Sequence, residues 1–370
     1  DKKDYSAVLK SLKYPILTRG PEVEVFERSQ SELEQRGAGI GFLEPASRYL
    51  ETYAKIDLDD ISVKTEKIRY LDRRNEIAFE KAHTYRFSSW TTVYKLLLRS
   101  FDTNYYQLGR ELVDWENGSR TVTAKFKNGE TSTFDLMICA DGVGSDSRKK
   151  LLPNVQSNYS GYVAWRGLVP TAELSEDDFD ECGSSAFIAP GRVFARYLVR
   201  NGELYNYAAF LVTDEWAEEG WAIPSDIDLV MEIFSDYNDQ VKNIIRATPR
   251  DELFKWGIFA RAPSDNWSSE YSTLLGDAAH PLEPFMGQGA SMAIEDGVVL
   301  SRIIADSSTQ SEIVDRYQKA RIERAHFVTE HSKKAGMRFT GRTPDDYSKE
   351  DHKNEEELGL FHYDPSSVEI

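Results

Sequence analysis

Two cysteines in 370 residues are too few for a disulfide framework or a thiolate zinc site, and Cys139 and Cys182 sit in unrelated contexts. That scarcity points to a reducing compartment, with the cytoplasm as the expected location, and to no bound metal. Positive charge is also short, with 45 Lys and Arg against 62 Asp and Glu and a formal net charge of −17. A broad surface for nucleic acid or anionic membrane is therefore disfavoured. No apolar run approaches the ~20 residues that cross a bilayer. The opening Asp1-Lys2-Lys3-Asp4 leads into no signal-peptide core. Internal repeats are absent too, and the partners left to expect are small molecules.

What is present suits a sizeable buried core. Hydrophobic residues make up 40% of the chain, a length that suggests two domains or one large α/β unit. The 19 Tyr, 18 Phe and 7 Trp could line a site for a flat ligand, although aromatic residues more often fill sheets and cores. Residues Glu22 to Glu27 alternate charged and apolar side chains, as a strand does, and Gly37, Gly39 and Gly41 follow in a loop. Apolar spacing predicts a helix from Ser89 to Phe101 and a strand from Tyr105 to Val113. The turn dipeptides Asn117-Gly118 and Asn128-Gly129 bracket a small antiparallel meander. Phe134 to Ala140 is nearly continuous in apolar residues, the pattern of a strand buried on both faces of a parallel sheet.

Between Tyr159 and Arg261 the segments become short, aromatic and alternating, notably Tyr162–Val169, Val193–Val199 and Leu204–Val212, which predicts a second, mostly antiparallel sheet. Ile227 to Arg246 reads as a helix and Ser272 to Leu275 as another parallel-type strand. Two helices follow, from about Gly289 to Ile304 and from Gln310 to Lys334. The charged stretch from Thr343 onward is expected to be a solvated or loosely packed tail.

Two strings carry chemistry. The first, Cys139-Ala140-Asp141-Gly142-Val143-Gly144-Ser145-Asp146-Ser147-Arg148, puts an acid and two glycines at the carboxyl end of the buried strand. Glycine permits close backbone approach there, and a carboxylate can accept ribose or ribityl hydroxyls. The second runs from Leu274-Leu275-Gly276-Asp277-Ala278-Ala279-His280-Pro281 through Pro284-Phe285-Met286-Gly287-Gln288-Gly289 into a helix. The unpaired N–H groups and positive dipole end of that helix suit an anion.

Together these strings, about 135 residues apart, resemble the two flavin motifs of the FAD-dependent aromatic-ring hydroxylases. Val23 to Arg28 and Arg36 to Gly41 support the resemblance, and the string Tyr162-Val163-Ala164-Trp165-Arg166-Gly167 is similar to the salicylate, 6-hydroxynicotinate and 2,6-dihydroxypyridine hydroxylase subgroup. Ser89-Trp90-Thr91-Thr92-Val93-Tyr94 resembles the dihydroxypyridine branch. The resemblance covers roughly residues 22 to 335. It implies a Rossmann-like α/β FAD-binding domain with a parallel sheet (1–62, 89–155, 270–335), an inserted, mostly antiparallel substrate-binding sheet (63–88, 156–269) and a charged C-terminal segment (336–370).

It further implies that NADH or NADPH reduces FAD, that O2 is activated on the reduced flavin, and that one oxygen atom enters a small phenolic or hydroxypyridine ring. Glu27 would bind the adenosine ribose and Asp277 the ribityl chain, while Asp141 would bridge FAD and the nicotinamide nucleotide. Gly287, Gln288 and Gly289 would present N–H groups to the flavin, beside Pro284. Arg28, Gly37, Gly142 and Arg148 complete the implied cofactor set. Tyr197 and Tyr207 are candidate substrate-lining residues because strand alternation could turn either one inward. His280 is either a hydrogen-bonding residue of its loop or a proton-transfer group. A homodimer is compatible with the resemblance.

One expected feature is missing. A Rossmann-type site carries its glycine turn about 20 residues before the ribose-binding acid. Counting back from Glu27 reaches Asp1 to Gly20, where Gly20 stands as the single glycine and Pro15 would interrupt the helix. Two alternatives follow: a chain lacking the original first strand and turn, or a catalytically silent scaffold or binding protein. Flavin chemistry of another kind, such as epoxidation or reduction of an isoprenoid chain, is a third, against which the Tyr162–Gly167 string argues.

Overall fold

A computed structural model of the chain describes residues 23–33, 39–155, 158–214, 223–261, 264–341 and 355–370. The expected glycine turn and Gly37 lie outside the described residues. The first described strand, β1 (Val25–Phe26), is followed by β2 (Gly39–Phe42) and by α1 (Glu44–Thr52), which opens on a proline that needs no N–H partner. Two long strands, β3 (Val63–Leu71) and β4 (Ile77–Ser89), form a hairpin. Helix α2 (Trp90–Arg99) starts where the sequence suggests, because the Ser89 hydroxyl accepts from the Thr92 N–H at 3.1 Å.

The anticipated Tyr105–Val113 strand is two pieces, β5 (Tyr106–Gln107), parallel to β1, and β6 (Leu112–Asn117). The meander is β6 with β7 (Val122–Phe126) and β8 (Thr131–Phe134). Phe26 stacks on Phe126 at 4.9 Å, which seats β1 on this meander. The buried run forms β9 (Met137–Cys139), followed by α3 (Asp146–Leu151).

Four strands of the large sheet follow: β10 (Asn158–Pro170), β11 (Ser184–Ala189), β12 (Arg192–Val199) and β13 (Leu204–Val212). A short β14 (Ile223–Pro224) precedes α4 (Ile227–Ile233) and α5 (Asp239–Arg246). The single helix expected over Ile227–Arg246 is thus broken, since Asn238 caps a new helix by accepting from the Val241 N–H. After β15 (Phe254–Ala260) come β16 (Ser268–Ser269) and β17 (Ser272–Leu274), then the long helices α6 (Gly289–Asp306) and α7 (Gln310–Gly341).

Nine strands share one sheet in the order β14-β15-β10-β13-β12-β11-β3-β4-β2. Alternation gives it two apolar faces. Val163, Trp165, Val169, Phe194, Tyr205 and Tyr207 pack under α4 and α5. Tyr162, Ala164, Ala186, Val193, Phe210 and Trp256 form the other face. β16, β17 and β9 form a separate three-stranded sheet, with β17 and β9 parallel.

The C-terminal expectation is corrected. Residues 355–370 dock rather than float: Leu360 joins the main core, and Arg302 donates to the Pro365 and Val368 carbonyls at 2.8 Å. Apolar Leu360, Phe361, Val368 and Ile370 supply the burial that the surrounding charges obscured.

Candidate active site

The two acidic strings meet because their strands are neighbours. β9 and β17 run in parallel with Cys139 opposite Leu274, and the Leu275 N–H donates to the Cys139 carbonyl at 3.0 Å. Asp141 and Asp277 each follow the carboxyl end of one of these adjacent strands, the edge where open α/β sheets bind ligands. Arg148, 1% exposed, ties the two loops together by donating to the carbonyls of Ala278 at 3.2 Å and Ala279 at 2.8 Å. Burial, with the nearby Arg261, pulls its pKa down to about 10.

Asp141 organises the first loop. Its carboxylate accepts from the Ser145 hydroxyl and from the Ser147 N–H, the latter at 3.0 Å, and Ser145 in turn caps α3. Gly142 takes a φ of 78°, a left-handed turn that glycine adopts without strain. Burial lowers the Arg261 pKa while Asp141 opposes the shift. Among the described residues the buried Arg148 Nε and Arg261 Nε and Nη1 have no hydrogen-bond partner, a donor set that suits an anion.

The second loop hangs on Asp296 of α6. This carboxylate accepts from the Gly276 N–H at 2.9 Å, from His280 Nε2 at 2.7 Å and from Arg321 Nε at 2.7 Å. Burial opposes its ionisation, yet His280 and Arg321 hold it far below the ordinary aspartate range. His280 is therefore a hydrogen-bonding residue of the loop frame, and it does not line the cavity beside it.

That cavity, of about 550 Å³, separates the second loop and α7 from the large sheet. Asp277, Pro284, Gly287 and Gly289 border it on the loop side. Gly287 ends the Pro284–Met286 turn with a φ of 62° and hands over to Gln288, which begins α6 with no side-chain cap. The first N–H groups of α6 thus lack an internal partner beside the cavity, and the buried Gln288 Nε2 has none either.

On the sheet side, alternation distinguishes the two tyrosines. Tyr197 faces the cavity, its ring stacked on Phe87 at 4.0 Å and its phenol pushed up by burial. Tyr207 borders the same cavity, but its ring stacks on Phe194 and its hydroxyl pairs with Thr248 Oγ1 at 3.1 Å, on the face covered by helices. Glu27 is buried at the end of β1, accepting from the Ser29 N–H at 2.8 Å, and Arg28 beside it is exposed.

Four further cavity residues escaped the sequence reading. Arg166 lies buried over Trp256 at 5.4 Å, and Asn206 holds the Gly39 N–H at 2.8 Å. Glu283 sits inside the second string itself, an acid between apolar neighbours, which was the available signal. Glu355 arrives from the docked C-terminus, where it accepts from the Tyr85 hydroxyl at 2.7 Å.

Phe285 reaches the sheet face, 4.9 Å from Tyr162 and 5.0 Å from Phe210. It does so only because Gly336 of α7 has no side chain, since a Cβ there would lie 2.4 Å from the Phe285 ring. Gly336→Ala is accordingly expected to lower the thermal midpoint even though alanine gains about 1 kcal/mol of helix propensity. An unchanged or higher midpoint would contradict this packing.

Adjacent parallel strands ending in acidic loops, an uncapped helix start and an aromatic-faced cavity define a protein of the dinucleotide-binding α/β class. The chain belongs to the FAD binding domain family, whose sequence model matches residues 80–332. It is similar to the aurachin C monooxygenase/isomerase of Stigmatella aurantiaca, with 31% identity over 62% of this chain and 58% of that protein. It is similar also to the 6-hydroxynicotinate 3-monooxygenase of Pseudomonas fluorescens, with 32% identity over 65% of this chain and 64% of the relative. The chain thus spans less than two thirds of the length of these curated relatives. The solved 2,6-dihydroxypyridine-3-hydroxylase of Arthrobacter nicotinovorans has the same fold, with a TM-score of 0.82 at 21% identity, covering 92% of this chain and 91% of that one. Among the described residues, no helix is long and apolar enough to cross a membrane.

Proposed function

We propose that the chain is an FAD-dependent monooxygenase that consumes NADH or NADPH and O2 to hydroxylate a small, electron-rich aromatic ring of the phenol or hydroxypyridine type. The observation that carries this reading is the shared cavity: Asp277, the uncapped start of α6 and the aromatic face of the sheet border the same 550 Å³ space. The residues present fit FAD. Asp277 would take the ribityl hydroxyls, and the N–H groups of Gly287, Gln288 and Gly289 would meet the edge of the flavin that gains negative charge on reduction. Glu27 and Arg28 would serve the adenosine end, Asp141 would bridge FAD and the nicotinamide nucleotide by accepting their hydroxyls, and Gly142 and Arg148, with the N–H groups of Arg261 that have no partner among the described residues, would meet the phosphates.

When bound, FAD supplies the redox chemistry that activates O2. The chain's own residues hold the cofactor, keep water from the reacting centre and orient the ring. Pro284, Phe285, Tyr197 and Phe210 offer flat apolar contacts for that last task, with Tyr207 at the margin. The Pseudomonas fluorescens relative is by name a 6-hydroxynicotinate 3-monooxygenase, which supports this substrate class, and the cysteine pattern supports a cytoplasmic site of action. The test is to load the protein with FAD and follow NADH and NADPH oxidation against a panel of hydroxylated benzenes and pyridines. Stimulation by at least one of them, with a hydroxylated product, is expected. A protein that takes up no flavin, or whose oxidation rate no aromatic compound alters, would refute the reading.

A further inference from the structure

Glu283 is 5% exposed at the cavity wall, and its buried Oε2 has no hydrogen-bond partner among the described residues. Phe285 follows it in the chain, and Gly336 lies so close that a Cβ there would stand 3.1 Å from Glu283 Oε2. Its backbone is pinned separately, the carbonyl accepting from the Ser332 hydroxyl of α7. A buried carboxylate without a donor is costly unless a ligand brings one. A site that must tell a ring hydroxyl from a ring hydrogen needs such a group, because leaving it unpaired penalises the wrong ligand.

The geometry points to Glu283 as the acceptor that recognises a hydroxyl or ring N–H of the aromatic substrate and takes its proton, an assignment that rests on the monooxygenase reading above. For a phenol, the O–H bond breaks heterolytically: the proton passes to a Glu283 oxygen and the electron pair stays on the ring oxygen. Electron density rises at the ortho and para carbons, one of which bonds the oxygen atom derived from O2. The other oxygen atom leaves as water, taking the electron pair and one hydrogen that NADH or NADPH delivers as hydride and one proton from solvent. The hydrogen displaced from the ring carbon ends on the new oxygen, and Glu283 returns its proton to the original one.

The electrostatics agree with that role. Burial pushes the Glu283 carboxyl above the ordinary glutamate range, with Lys333 of α7 opposing, which moves the group toward the pH at which a base must work. From β10, Tyr162 faces it and has its own phenol raised by burial and, to a smaller extent, by the Glu283 charge. Asp277, His331, Lys334, Arg338 and Glu355 share the cavity.

The test compares FAD-loaded wild type with Glu283→Gln and Glu283→Asp, using whichever panel compound gives the fastest NAD(P)H oxidation in wild type. Glu283→Gln is expected to lower kcat by about 100-fold and to raise KM about tenfold. The wild-type rise of kcat/KM with pH through the Glu283 titration should vanish in that variant. Glu283→Asp should restore part of the rate and the pH limb. Because Glu283→Gln removes a buried unpaired charge, the thermal midpoint of the ligand-free protein should stay level or rise, which separates lost chemistry from lost folding. Values of kcat, KM and pH profile within twofold of wild type would overturn the role of Glu283 alone. Absence of any aromatic-stimulated oxidation in wild type would overturn the monooxygenase reading, and this assignment with it.

Discussion

Arg321→Ala should destabilise the protein by about 3–5 kcal/mol, as expected when one partner of a buried ion pair is removed. The guanidinium is fully buried between Asp296 and Glu295, at 2.7 and 2.9 Å, and also donates to the Tyr363 hydroxyl at 2.6 Å. Without it, two carboxylates remain in the core, with His280 and Arg324 as the basic side chains that still hydrogen-bond to them among the described residues. The loss reaches the site, because Asp296 is also the acceptor that holds the Gly276 N–H and His280 on either side of Asp277. Denaturant unfolding measures the effect, and a change below about 1 kcal/mol would show that the network contributes no more than a surface pair. The same network gives the protein an acid limit. Asp296 is held charged in the fold well below the ordinary value of 3.8, so its contribution is whole at neutral pH. It is lost progressively as the pH falls below about 4, where the unfolded chain begins to take up the proton.

Asp277→Ala should cut FAD affinity by about 10- to 150-fold, the range for one hydrogen bond to a charged group. Asp277 borders the cavity at its loop edge, and a Cβ at Gly289 would lie 3.6 Å from its Oδ1, so the carboxylate sits directly at the start of α6. Flavin retained per chain after gel filtration reads the result. Retention equal to wild type would remove Asp277 from the cofactor site and weaken the assignment of the whole loop.

The two sites of these predictions differ in how far sequence reveals them. The string around Asp277 was legible because strand, glycines and helix start are local, and each residue type has a geometric reason for its place. That β9 and β17 are neighbours was suggested only by their shared apolar pattern, and the pairing of Cys139 with Leu274 is long-range. The charge network was not legible: Arg321 looks like any of the many basic residues on this amphipathic helix, and only the packing of α7 on α6 turns it inward. The antiparallel sheet announced itself through alternation in Tyr162–Val169 and Leu204–Val212, but alternation alone could not say which face would be covered by α4 and α5. That choice separates Tyr197 from Tyr207.

Elsewhere, local signals misled for identifiable reasons. The apolar spacing of Ile227–Arg246 is helical throughout, yet Asn238 prefers to cap, and one helix becomes two. The acidic C-terminus reads as solvated, but four apolar residues among its charges are enough to dock it, and docking brings Glu355 to the cavity. Glu283 stood in plain view as an acid between apolar neighbours, but the other members of its motif have backbone or shape roles, and its burial beside Gly336 follows from long-range packing.

The most direct test of the central claim, that this cavity serves an FAD-dependent oxygen insertion, is the mass of the product formed under 18O-labelled O2 in unlabelled water. Incorporation of one labelled oxygen atom per hydroxylated ring, matched by oxidation of NADH or NADPH, is the result the account requires. Product carrying oxygen from water, or reductant consumed with no oxygenated product from any aromatic compound tried, would contradict it.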